Sequence, residues 1–427
     1  MFNFDVEAIV ETTSRHGAFL ISARYWSASV LFDLEIEKYV LTVSDGNVSR
    51  FQRLDEKTYL ADDFDIIISG PADSWQKLLQ SVPPAPYDDV RFGGQAVGFE
   101  VKANVAEALG PYYSAVQEFI DILRCTYSGE KIVRQVAPIE RKFDTAIGRY
   151  MYIDVDDIQH RVYFEEAGDG SIPLLLQHTA GADGRQWRHL LEDADYQRNY
   201  RMISYDLPYH GKSLPPASEP WWQQEYLLTK DRLMKTVIAI SEGLRLDQPV
   251  FMGCSVGGHL APDLALYYPD YFRAVIGINS GLAVDPKKID IETEESWFHP
   301  RIGSQWKAAA MLGNTAPTSP EAYRRETSWI YSQGAPSVLK GDVYYYSQDH
   351  DLTEEQARTI DTSKVAVYLL TGEYDVLATE NGTARLARNI PGCTFQLLPG
   401  LGHFGPSENP EDFKHVLLPV LEAIAES

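Results

Sequence analysis

Apolar and polar positions alternate with a period of two over much of residues 20–70, the pattern of half-buried strands. Leu31-Phe32-Asp33-Leu34-Glu35-Ile36-Glu37, Tyr39-Val40-Leu41-Thr42-Val43 and Phe64–Gly70 predict strands, and Ser44-Asp45-Gly46-Asn47 predicts a hairpin turn. Pro71–Gln80 opens a helix, Val82-Pro83-Pro84-Ala85-Pro86 reads as a loop, and between Asn104 and Leu123 the residues Val105, Ala108, Leu109, Val116, Phe119, Ile120 and Leu123 recur at helical spacing. Residues 1–126 therefore predict an α+β domain.

Residues 127–147 are polar and mixed in charge, and read as a linker. Beyond them the rhythm changes. Met151–Val155, Val162–Glu166, Pro173–Gln177, Tyr200–Tyr205, Val250–Gly253, Ala274–Asn279, Val365–Leu370 and Thr394–Leu398 predict strands, with helices near 224–242, 257–268, 381–389 and 411–424 between them. Such alternation implies an α/β domain over 148–427, with a mainly parallel sheet whose strand ends carry the site. Residues 282–362 break the rhythm and are rich in aromatics (Trp297, Phe298, Trp306, Tyr323, Trp329, Tyr331, Tyr344, Tyr345, Tyr346), which predicts a helical cap inserted over the sheet's active end.

Composition narrows the class. A chain of 427 residues with 44% hydrophobic and 23% charged residues exceeds one ordinary core and suits a globular protein of two domains. A net charge of -23 disfavours nucleic acid as a partner, because phosphate would be repelled. No stretch reaches membrane-span length, and the acidic start lacks the order of a signal peptide. Cys125, Cys254 and Cys393 are odd in number and far apart, which predicts free thiols and a reducing, cytoplasmic setting. No Cys/His cluster has metal spacing, and no cofactor is implied.

The chemistry concentrates in Val250-Phe251-Met252-Gly253-Cys254-Ser255-Val256-Gly257-Gly258-His259. This is G-x-S-x-G between an apolar strand and a helix-compatible run. A serine on so sharp a turn takes positive φ and needs small neighbours two residues away, here Gly253 and Gly257. The turn also places the Val256 N–H at a helix N-terminus, where it favours a developing oxyanion. A serine hydroxyl needs a base, and the base an orienting acid. His403, in Gly400-Leu401-Gly402-His403-Phe404, and Asp375, in Leu370-Thr371-Gly372-Glu373-Tyr374-Asp375, follow in the order Ser…Asp…His. Glu373 is the rival acid; His178, His210 and His259 are weaker base candidates.

Together with Leu174–Gly181 and Asp206-Leu207-Pro208-Tyr209-His210-Gly211-Lys212-Ser213, these blocks resemble the α/β-hydrolase family over 148–427. The resemblance implies an α/β-hydrolase fold with Ser255, Asp375 and His403 as catalytic residues. It implies Val256 and Ala180 as oxyanion donors, and roles for His178 and His210 in bracing loops. Thr179 and Tyr209 stand where the family usually has glycine. With Trp187, they are candidate substrate contacts, Trp187 having sheet-edge packing as its equal alternative. A serine at this position disfavours the aspartyl-ester chemistry of haloalkane dehalogenases and epoxide hydrolases.

The expected activity is hydrolysis of an ester or lactone of a medium-sized, partly apolar or aromatic small molecule through an acyl-enzyme. Carbon–carbon bond hydrolysis next to a carbonyl is the enzymatic alternative, and a non-catalytic apolar-ligand-binding protein the other. Residues 15–125 resemble in pattern the sterol-carrier-protein-2-like fold. That half reads as a structural or dimerising module, a homodimer through it being the expected assembly, with apolar-ligand binding as the alternative.

Overall fold

A computed structural model describes residues 2–54, 60–129, 133–284, 299 and 301–427. The chain forms two compact units, Met1–Arg134 with Phe298–Thr318, and Gln135–Trp297 with Ser319–Ser427.

The first unit holds a five-stranded sheet, β1 (Ala28–Asp33), β2 (Lys38–Ser44), β3 (Asn47–Arg53), β4 (Ile66–Ser69) and β5 (Glu100–Ala103), in the order β3-β2-β1-β4-β5. Only β1 and β4 pair in parallel. The β2–β3 turn pairs Ser44 with Asn47, and Asp45 and Gly46 both take positive φ (46° and 78°), as a two-residue type I′ turn requires. The predicted run Leu31–Glu37 is broken after Asp33, because Glu35 turns to φ 67° and reverses the chain into β2. The long helical stretch is also divided. Gly110-Pro111 interrupts it, so the uniform helix is Tyr113–Ser128. Its apolar face (Val116, Phe119, Ile120, Leu123) packs on the sheet with Phe32, Phe51 and Trp75.

The expected domain limits shift here. The first unit reaches Arg134 rather than residue 126, and it includes 298–318, which the sequence pattern assigns to the cap. Helix Ser304–Leu312 packs Trp306 against Tyr113 at a ring separation of 5.2 Å, and Ala309 O accepts the Gln117 Nε2–H at 3.0 Å. Trp297 and Phe298 lie outside the described residues.

The second unit holds an eight-stranded sheet: β6 (Ile147–Val155), β7 (Ile158–Ala167), β8 (Ile172–Gln177), β9 (Tyr200–Tyr205), β10 (Val250–Cys254), β11 (Ala274–Ile278), β12 (Ala366–Gly372) and β13 (Thr394–Leu398). Its order is β13-β12-β11-β10-β8-β9-β7-β6, parallel from β13 to β9 and antiparallel at β7 and β6. The central strands are buried throughout, which explains their unbroken apolar runs. Helices Lys230–Gly243, Val256–Tyr267, Glu380–Asn389 and Pro410–Glu426 lie close to the predicted positions. Between β11 and β12 the unit carries a helical excursion, Glu321–Ser332, Pro336–Tyr344 and Glu354–Arg358. Among the described residues no helix is long and apolar enough to cross a membrane.

Candidate active site

The carboxyl ends of β8, β9, β10, β12 and β13 deliver His178, Asp206, Ser255, Asp375 and His403 to one edge of the sheet, where parallel sheets bind ligands. Ser255 lies directly between β10 and helix Val256–Tyr267 with φ 56° and ψ -109°. Its N–H donates to Ile278 O at 2.9 Å, and its carbonyl accepts the His259 N–H at 2.8 Å. The flanking glycines are demanded by close approach. A Cβ on Gly253 would sit 2.5 Å from the Gly257 backbone, and one on Gly257 would sit 2.6 Å from Gln177 Cγ.

His403 is buried, and its Nδ1–H donates to Asp375 Oδ2 at 2.7 Å. The other oxygen of Asp375 accepts the N–H groups of Leu377 (2.8 Å) and Ala378 (3.0 Å), so the carboxylate is fixed from both sides. Glu373, the rival acid, is exposed and accepts the Gly400 N–H at 2.8 Å, whereas the His403 ring pairs with Asp375. Glu408, fully buried, accepts the Gly402 N–H just before His403. Cys254 packs as a buried residue whose Sγ–H donates to His403 O at 3.3 Å, and burial pushes its thiol well up.

The other histidines are held in bracing bonds. His178 Nδ1–H donates to Thr179 O at 2.8 Å and its Nε2 accepts the Leu207 N–H at 3.1 Å, so both ring nitrogens are used. Burial, then the neighbouring His210, push its pKa down to about 4. His259 Nδ1–H donates to Gly281 O at 3.2 Å, and burial, with His350 nearby, pushes it down to about 3. His210 contacts Pro208 O and Asp342.

The Thr179 N–H is taken by Gln186 Oε1 at 2.9 Å. The Ala180 N–H has no acceptor among the described residues, and the Val256 N–H opens a helix, where first-turn donors lack intrahelical partners. Thr179 Oγ1 meets the Tyr331 hydroxyl from helix Glu321–Ser332. Tyr209 takes φ 75°, a glycine conformation, and sets its ring 4.6 Å from that of Tyr226. Trp187 is fully buried in the core with Leu174, Leu176, Leu190 and Met252. It packs rather than lines open space, a correction to its reading as a substrate contact.

Two residues that the sequence pattern passes over also act here. Asn279, fully buried with φ 57°, donates through Nδ2 to His403 O at 2.7 Å and accepts the Gly372 N–H at 3.0 Å. Its place directly after a strand, and the tolerance of asparagine for positive φ, were the available signal. Asp342 has no such signal. Among the described residues no group of three or more His, Cys, Asp or Glu is arranged to hold a metal ion.

The alpha/beta hydrolase family model matches residues 174–416. The chain belongs to the α/β-hydrolase family. It is 24% identical over 262 residues to 3-oxoadipate enol-lactonase 2 of Acinetobacter baylyi, covering 58% of this chain and 88% of that protein. It is 22% identical over 289 residues to a 2-hydroxy-6-oxononadienedioate/2-hydroxy-6-oxononatrienedioate hydrolase of Burkholderia vietnamiensis, covering 65% of this chain and 96% of that protein. A malate-bound thermophilic esterase from Thermogutta terrifontis shares the fold at a TM-score of 0.54 and 19% identity, covering 65% of this chain and 99% of that one. The turn at Ser255 and the His403–Asp375 pair both fall within the matched residues.

Proposed function

We propose that this α/β-hydrolase is a serine hydrolase that cleaves an ester or lactone. Ser255 attacks the acyl carbon, and His403 takes its proton and returns it to the leaving oxygen. Asp375 holds the imidazole tautomer, and the Val256 and Ala180 N–H groups receive the oxyanion. Water, activated by His403, then releases the acid. The observation that carries this reading is the 2.7 Å His403–Asp375 bond at the same sheet edge as a serine at φ 56°. Esterase and enol-lactonase relatives support the choice of an acyl substrate.

The excursion Glu321–Arg358 would act as the cap, with Thr179, Tyr209 and Tyr331 on the substrate side. Carbon–carbon bond hydrolysis beside a carbonyl is the second reading, favoured by the likeness to the Burkholderia vietnamiensis hydrolase. The first unit we read as a structural or dimerising module of a cytoplasmic protein. Its interior is filled with interlocked aromatics, Phe32, Phe51, Trp75 and Phe119, which supports packing over ligand carriage.

Fluorophosphonate treatment followed by intact mass, with Ser255→Ala alongside and p-nitrophenyl esters of graded size, tests the reading. One adduct, lost in the variant, with ester turnover is expected. An adduct without ester turnover would shift weight to carbon–carbon cleavage. A folded protein that forms no adduct would overturn the hydrolase reading.

A further inference from the structure

One carboxylate gathers three donors beside the loop that carries Ala180. Asp342, on helix Pro336–Tyr344, is fully buried. Its Oδ2 accepts the Gly181 N–H at 2.6 Å and the His210 Nε2–H at 2.7 Å, and its Oδ1 accepts the Tyr226 hydroxyl at 3.1 Å. His210 Nδ1 faces Pro208 O at 3.0 Å. With acceptors at both nitrogens, the ring needs both protons, and Asp342 is its counter-charge. Burial opposes that charge, but Asp342 outweighs it and the pKa of His210 is raised.

The geometry around Ala180 is specific. Gly181, at φ 68°, lies against Leu339 of the same helix, where an added Cβ would come within 3.0 Å of Leu339 Cδ1. On the other side, Tyr331 meets Thr179 Oγ1. Both neighbours of Ala180 are thus gripped by the excursion, whereas its own N–H is left for a ligand. An ion pair this buried is a poor device for stability alone, since apolar packing would serve as well. It does dictate where the loop lies.

We propose that Asp342 is a positioning residue for the oxyanion, fixing the Ala180 N–H through Gly181 and coupling the seating of helix Pro336–Tyr344 to that donor's aim. The inference rests on the serine-hydrolase reading of the site. A second pair supplies the control. His350 donates to Asp263 Oδ2 at 2.9 Å and to Gly281 O at 3.1 Å, a pair equally buried that also ties the excursion to the sheet domain. Its hydrogen bonds reach none of residues 178–181.

The test compares D342A, D342N and H350Q in the full chain, by p-nitrophenyl butyrate kinetics and by hydrogen–deuterium exchange over residues 178–187. D342A is expected to lose about 30- to 300-fold in kcat, with KM within about threefold and loop exchange about tenfold faster. D342N keeps an acceptor for Gly181 but no charge for His210. It should lie between, about three- to tenfold down in kcat, with exchange raised two- to fivefold. H350Q should keep kcat within about threefold and leave exchange over 178–187 at the parental rate. Equal losses in D342A and H350Q, parental kcat in D342A, or a change in KM alone would overturn the proposal. If D342A does not fold, D342N against H350Q decides it in the same way. A parent without Ser255-dependent turnover would instead overturn the hydrolase reading. The exchange comparison would still report whether Asp342 orders the loop, and unchanged exchange would sink the inference independently.

Discussion

Asn279 Nδ2 donates to the carbonyl oxygen of His403 at 2.7 Å, across 124 residues of sequence. The same side chain accepts the Gly372 N–H at 3.0 Å, and its own N–H donates to Leu370 O at 2.8 Å. One buried amide therefore ties the end of β11 to the end of β12 and to the loop carrying His403. Asn279→Ala would leave the buried Gly372 N–H unpaired and the His403 carbonyl with only the weak Cys254 Sγ–H donor, costing roughly 2 kcal/mol. It would also release the loop that aims His403, lowering kcat about 10- to 100-fold. Urea unfolding and steady-state ester kinetics would check both. A variant with parental stability and kcat would mean that the amide clamps nothing of consequence.

Asp375 contacts three donors, so its removal can be made selective. In Asp375→Asn, Oδ1 can still accept the Leu377 and Ala378 N–H groups, but the amide nitrogen then faces His403 Nδ1. That arrangement favours the wrong tautomer and withdraws the charge that stabilises an imidazolium. Under the proposed mechanism kcat falls about 10³- to 10⁴-fold with the fold intact. Circular dichroism melting beside kinetics separates the effects. Loss of activity smaller than about tenfold would count against Asp375 as the acid.

Tyr209 holds an L-residue at φ 75°, where glycine is unstrained, and its ring contacts Tyr226 at 4.6 Å. The backbone strain costs about 1 kcal/mol and the ring contact returns a similar amount. Tyr209→Gly should therefore stay within about 1 kcal/mol of the parent, while Tyr209→Ala, which keeps the strain and loses the ring, should be about 1 kcal/mol less stable than the glycine variant. The order of the two denaturation midpoints is the measurement, and an alanine variant as stable as the glycine one would refute the strain.

What the sequence revealed and what it hid follow from the range of the interactions involved. Ser255 directly follows β10, and Asp375 and His403 lie in the loops after β12 and β13, each within a short local motif, so pattern together with the family resemblance singled them out as candidates. The type I′ turn at Asp45-Gly46 was likewise legible, because its φ requirement is local. Asp342 was not, since its partner Gly181 is 161 residues away and is a backbone group that any residue could supply. Helix Ser304–Leu312 misled for a related reason. An apolar face with Trp306 shows that a helix packs, but not which of two cores receives it. Trp187 was ambiguous on the same ground, and the core took it.

Buried histidines make stability depend on pH from both sides. His178 and His259 have pKa values lowered from 6.5 to about 4 and about 3, chiefly by burial. Between those values and 6.5 the unfolded chain binds more protons than the folded one, so stability falls as pH drops below 6.5, by roughly 3 kcal/mol for His178 if fully realised. His210 and His350 are shifted the other way, because Asp342 and Asp263 outweigh the burial that opposes their charge. Above 6.5 the folded chain holds protons that the unfolded chain has released, so stability falls again as pH rises through their raised pKa values. Glu326, lowered to about 2 where its His189 and Arg188 partners outweigh burial, adds to the acid loss only below about 4.5. Asp206, raised to about 6 chiefly by burial, runs the other way and offsets part of the acid loss, so thermal midpoints from pH 4.5 to 8.5 should peak near 6.5 with the acid limb carried by the histidines. His350→Gln removes one alkaline contribution, so its profile should be flatter above the peak, and by removing the charge that helps hold His259 down it should also make the acid limb somewhat shallower. An unchanged slope above pH 6.5 would show that His350 does not carry its proton in the fold.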